Sequence, residues 1–122
     1  MKIQASAEDY LEAILVLTKQ NGKVRSVDIA NHLQFSKPTI SIIMKQFRDN
    51  GYVTFDEERC IHLTEKGEEI ATRIHERHNL LAEVLMAIGV DRDTAYADAC
   101  KIEHVISDKT FECIRAYSKG IK

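Results

Sequence analysis

Cys100, Glu103 and His104 stand at i, i+3 and i+4 in the chain. On a helix that spacing puts a thiol, a carboxylate and an imidazole on one face. Together these donors can bind a first-row divalent metal. Asp9 and Glu12 repeat the i, i+3 spacing with two hard oxygen donors. His78 comes four residues after Ile74 and three before Leu81, so it points inward with the apolar stripe of a long helix. Each of these residues also has an ordinary role. Asp9 completes a capping box with Ser6, Glu12 is a solvated charge, His78 is a hydrogen-bonded core histidine, and Cys100 is a small buried hydrophobe. Metal ligation follows only if the helices carrying them converge.

A second constellation lies between residues 24 and 51. Ser36, Lys37, Pro38, Thr39 and Ser41 open a helix with small polar and basic side chains. When such a helix end lies in the major groove, its side chains reach base edges. Thr39 and Ser41 can donate or accept there, whereas Lys37, Lys45 and Arg48 suit phosphates, which position without specifying sequence. Arg59 follows at the tip of a short hairpin. The ordinary roles are a helix cap for Ser36 and solubility for the lysines.

The elements that must position these residues are legible from periodicity and caps. Ser6 starts a first helix, with Tyr10, Leu11, Ile14, Leu15 and Leu17 on its apolar face and Asn21-Gly22 at its end. Ser26 caps a short second helix whose Ile29, Ala30 and Leu33 face inward. Ser36 caps a third, with Pro38 in its first turn and Ile40, Ile43, Met44 and Phe47 as its core stripe. Residues 52–55 and 60–63 form two strands around the polar tip 56–59. Thr64 caps a long helix, with Ile70, Ile74, Leu81, Leu85 and Ile88 on one side and Gly89 at its close. Residues 91–106 and 108 to about 118 give two more helices. The fold class is mostly α: a winged helix-turn-helix over 1–63, then a helical domain over 64–122 for metal binding and dimerisation. Ile102, Val105, Ile106, Phe111 and Ile114 exceed what two short helices bury alone, which predicts a dimer held by the C-terminal helices.

Composition sets the outer bounds. The chain has 122 residues, 44% hydrophobic and 30% charged, enough to fold as one compact unit or two small ones. It has no apolar run of about 18 residues and no signal-peptide layout, so the expectation is a cytoplasmic protein without a membrane partner. Three cysteines without CxxC spacing argue against a disulfide framework. Net charge is −2, yet residues 19–51 carry six basic and two acidic side chains. That asymmetry permits a phosphate-binding face on an acidic protein.

The run 95–108, AYADACKIEHVISD, resembles the metal-binding helix of the diphtheria toxin repressor family, which includes iron-dependent repressors and manganese transport regulators. Residues 7–12 resemble that family's first helix, 36–41 its recognition helix and 77–81 its linking helix. The resemblance implies a homodimer that binds double-stranded operator DNA when loaded with Mn²⁺ or Fe²⁺, with Zn²⁺ able to substitute in vitro, and that represses metal-uptake genes. It implies Asp9, Glu12, His78, Cys100, Glu103 and His104 as metal ligands, tying the first helix to the dimerisation helices. Asp9 and Glu12 are like the manganese regulators, where iron regulators carry methionine in place of Asp9. Cys100 is like the iron regulators, where manganese regulators carry glutamate. Ala82 and Tyr96 stand where iron regulators carry further ligands. The chain stops before any C-terminal SH3-like domain, as the short manganese regulators do. The alternative is a winged-helix regulator gated by an organic ligand or by thiol redox. A metal-dependent hydrolase is disfavoured: no substrate-pocket signature is present, and neither an enzyme nor an organic substrate is expected.

Overall fold

The structure, a computed structural model, describes residues 7–120. The described elements run α1 (Ala7–Asn21), α2 (Ser26–Leu33), α3 (Lys37–Asp49), β1 (Val53–Phe55), β2 (Ile61–Leu63), α4 (Glu65–Ala87), α5 (Arg92–Glu103) and α6 (Asp108–Lys119). Ser6, expected to cap α1, lies outside the described residues. Contacts divide the chain into two compact units, the first ending at Ile74 and the second starting at His75, within α4.

In the first unit, the stripes expected of α1, α2 and α3 meet in one core. Leu11, Ile14, Ile29, Ile40 and Met44 are fully buried, joined by Val53 and Ile61 from the hairpin and Ala71 from α4. Tyr10, Phe35, Phe47 and Tyr52 extend this core as a chain of aromatic contacts about 6 Å between ring centres. The hairpin is antiparallel, Val53 opposite Leu63 and Phe55 opposite Ile61. Ile61 N–H donates to Val24 O (2.6 Å), so the segment entering α2 is bonded to the hairpin.

Local chemistry sets the helix ends. Ser36 Oγ accepts from Thr39 N–H, and Thr64 Oγ1 accepts from Gly67 N–H (3.1 Å) while donating to Gly51 O (2.7 Å). α2 departs from expectation: Arg25, not Ser26, is the N-cap residue, and Asp28 reaches back to accept its N–H (2.9 Å). The carboxylate three residues on makes the return half of a capping box, and Asp28 N–H donates to Arg25 O (2.9 Å) where a capping hydroxyl would otherwise accept it. Between α2 and α3 the chain turns through Gln34 in the left-handed region (φ 62°), with Phe35 N–H donating to Ala30 O.

In the second unit, Leu81, Ala82, Ala95, Ala99 and Phe111 form the buried centre, with Leu85, Ile102, Ile106 and Ile114 packed against it. The Arg77 guanidinium lies 4.4 Å from the Phe111 ring centre and pairs with Asp108 (3.3 Å), fixing α4 to α6. Asp91 and Ser107 cap α5 and α6. α5 stops at Glu103 rather than near 106, and His104 is its C-cap. Ile88 was expected inside, yet it is 70% exposed, because α4 ends at Ala87 and Gly89 (φ 107°) turns the chain away. Phe111 is buried in its own unit instead of being surplus, whereas Val105 and Tyr117 stand exposed.

Candidate metal centre and nucleic-acid interface

The second unit brings three of the expected metal ligands together. His78 sits midway along α4, held inward by the same stripe as Leu81 and nine-tenths buried. Glu103 is the last residue of α5, and its side chain is only 2% exposed. Their side chains meet, His78 Nε2 to Glu103 Oε1 at 2.9 Å. The same oxygen lies 3.5 Å from His104 Nε2. Cys100, half-buried, stands one turn before Glu103 and His104 on α5. A buried carboxylate oxygen shared by two imidazole nitrogens is costly unless positive charge compensates it. Nitrogen, oxygen and thiol donors in that arrangement fit a first-row divalent cation. Asp9 and Glu12 belong to the first unit, half-buried and one turn apart on α1.

The first unit carries a groove of about 610 Å³ framed by α2, α3 and the hairpin. Lys37, Ser41, Lys45 and Arg59, all expected DNA contacts, line it. Ser36, Pro38 and Thr39 are exposed at the start of α3 but do not line the groove. The Ser36 hydroxyl is taken up by its cap and by a 2.8 Å bond to Thr39 Oγ1. Arg48, expected to suit phosphates, lines it too, and Arg25 adds a guanidinium group that spacing alone did not place there. Arg48 is steadied over the Phe55 ring, 5.6 Å from its centre. Five cations against the single carboxylate of Glu58 give the groove the charge of a phosphate-binding surface.

The hairpin tip is shaped by Asp56, a residue the sequence reading passed over. Its Oδ1 accepts from Glu58 N–H and Cys60 N–H, each at 2.9 Å, and its Oδ2 lies 2.9 Å from His62 Nε2. The His62 bond, then the backbone bonds, hold the Asp56 carboxyl below its ordinary pKa. The closed turn places Arg59 in the left-handed region (φ 64°) and directs it to the groove. No signal beyond an aspartate at a turn start marks this in sequence.

Two family models match the chain, one after the other. Residues 2–61 match the model described as the iron dependent repressor N-terminal DNA binding domain. Residues 64–122 match the iron dependent repressor metal binding and dimerisation domain. The transcriptional regulator MntR of Escherichia coli O6:H1 is 32% identical over 112 residues, covering 92% of this chain and 72% of that protein. An uncharacterised HTH-type transcriptional regulator of Methanocaldococcus jannaschii is 33% identical, covering 96% of this chain and 95% of its own length. Among solved structures, a manganese-dependent transcriptional repressor in complex with manganese is 29% identical with a TM-score of 0.81. It matches 96% of this chain and 54% of its own, so the chain spans about half the length of such structures. With a DNA-binding half and a metal-binding half matched in that order, the chain belongs to the iron-dependent repressor family of metal-dependent transcriptional regulators.

Proposed function

We propose that this chain is a cytoplasmic repressor that binds operator DNA as a homodimer when loaded with Mn²⁺ or Fe²⁺ and so controls metal-uptake genes. The meeting of His78, Glu103 and His104 at one buried carboxylate oxygen carries the reading. Those three, with Cys100, would hold the metal, and Asp9 and Glu12 join the ligand set on sequence grounds. The cation supplies there the positive charge that holds carboxylate and imidazole donors together. Residues 1–63 are assigned to DNA and residues 64–122 to metal and dimerisation. Lys37, Lys45 and Arg59 neutralise phosphates, and Ser36, Pro38, Thr39 and Ser41 face the bases. The exposed Tyr117, which with Val84 and Ile114 lines an apolar groove of about 360 Å³, supplies surface for a second copy, and the exposed Ile88 and Val105 add apolar area. Gating is a population shift, limited to the extent that the metal is held more tightly by the DNA-competent form.

Fluorescence anisotropy on labelled DNA from upstream of the chain's own coding sequence tests this. It is run anaerobically with Mn²⁺, Fe²⁺, Zn²⁺ or chelator. Tight binding is expected with Mn²⁺ and with Fe²⁺, and its loss with chelator. Binding that survives chelation would overturn the metal reading in favour of an organic or redox signal.

A further inference from the structure

Ile42 is 59% exposed in the middle of α3. The core side of this helix is Ile40, Met44 and Phe47, all buried. At 3.6 residues per turn, Ile42 projects roughly 200° round from Ile40, to the side opposite the core. Pro38 lies one turn before it, and Lys45 and Gln46 lie one turn after. A single exposed apolar side chain is ordinary on a protein surface. This one stands on the solvent side of α3, the helix whose Lys37, Ser41, Lys45 and Arg48 line the basic groove, and does not itself line that groove. An isoleucine there cannot take a hydrogen bond from a base edge. It gains free energy only by covering apolar surface, and in the major groove the one apolar group a standard base offers is the thymine C5-methyl.

We propose that Ile42 is a specificity-determining residue that selects a thymine through its 5-methyl group. The inference rests on the DNA-binding reading of α3 above and adds to it the base and the atom recognised. Serine and threonine at the helix start read bases permissively, since their hydroxyls can donate or accept. Ile42 removes that freedom at one position, because cytosine and the purines offer it polar edges. The discrimination is against a missing methyl, so it acts on a feature that leaves base pairing unchanged.

The test begins with selection from a randomised duplex pool by the full chain in Mn²⁺. Anisotropy is then measured on the selected duplex with each thymine replaced in turn by deoxyuridine, which lacks only the methyl. For the parent chain, one substitution per half-site should weaken binding about three- to fivefold, the factor expected for one buried methyl group. Ile42→Ala should bind the thymine and uracil duplexes equally at that position, with its salt dependence unchanged. Ile42→Val should keep a reduced penalty, and matching thermal melts check that both variants fold. A parent chain indifferent to every uracil substitution would overturn the proposal, as would an Ile42→Ala variant that keeps the penalty. In both cases salt-dependent DNA binding would leave the repressor reading standing. Failure to retain any duplex would overturn both.

Discussion

At the scale of single residues, two side chains concentrate the chemistry. Cys100 is a softer donor than the hard oxygens of Asp9 and Glu12, and thiolate favours Fe²⁺ or Zn²⁺ over Mn²⁺. Cys100→Glu is therefore expected to shift activation toward Mn²⁺, read as the ratio of Mn²⁺ to Fe²⁺ midpoints in DNA-binding titrations; an unchanged ratio marks a packed thiol. His104→Ala removes one of the two imidazoles at the buried Glu103 oxygen. It should weaken metal affinity by about a hundredfold or more, judged against the cost of losing mere supporting contacts, with isothermal titration as the check. Asp56 acts instead through the wing. Its pKa is lowered in the folded chain, so the stability it contributes is present above its unfolded pKa. That stability is lost as pH falls through the lower folded value. The protection of the Glu58 and Cys60 amide protons, measured against the unprotected exchange rate at each pH, should fall in this acid window, and Asp56→Ala should lower it already at neutral pH. The ligand types were legible in sequence because i, i+3 and i+4 spacing is local information. The wing clamp was not, because it depends on where the chain returns four and six residues later.

At the scale of elements, caps and stripes were the readable part. Ser36 and Thr64, both read as caps, hold their helices through bonds spanning three residues, and in the structure Asp91 and Ser107 do the same for α5 and α6. Arg25 was missed as a cap because its side chain is not a capping group; the bond comes from Asp28. Ile88 was misplaced because one residue beyond the helix end reverses which way a side chain faces. Glycine ordinarily weakens a helix interior, yet Gly67 lies inside α4. In the structure a Cβ there would overlap the Tyr52 carbonyl oxygen, a backbone atom unable to move aside cheaply. Gly67→Ala should destabilise the first unit by about 1–3 kcal/mol, as overpacking does. Chemical denaturation measures it, and a neutral result would mean that α4 and the segment after α3 separate easily. The basic groove needed three elements at once, so Arg25 joined it only when the fold was in view.

At the scale of the whole chain, the exposed Ile88, Val105 and Tyr117 bear on assembly. Sedimentation at micromolar concentration should show a dimer, and Tyr117→Asp should shift it toward monomer. A monomeric parent chain would refute the surface assignment. α4 has a further consequence. It is one unbroken helix, yet Ile70 and Ala71 pack into the first core while Leu81, Ala82 and Leu85 pack into the second. The seam between the two units therefore runs through hydrogen-bonded helix and not through a loop. A fragment ending with β2 would leave the first core without Ile70 and Ala71, whereas one carried on to Ile74 retains both. Any exchange of halves between relatives, in a laboratory chimera or in natural recombination, would have to splice inside the helix. The helical phase must be kept at that join: inserting or deleting a single residue there would turn His78 about 100° around the helix axis. A buried ligand would then face another way while the sequence on either side stayed intact.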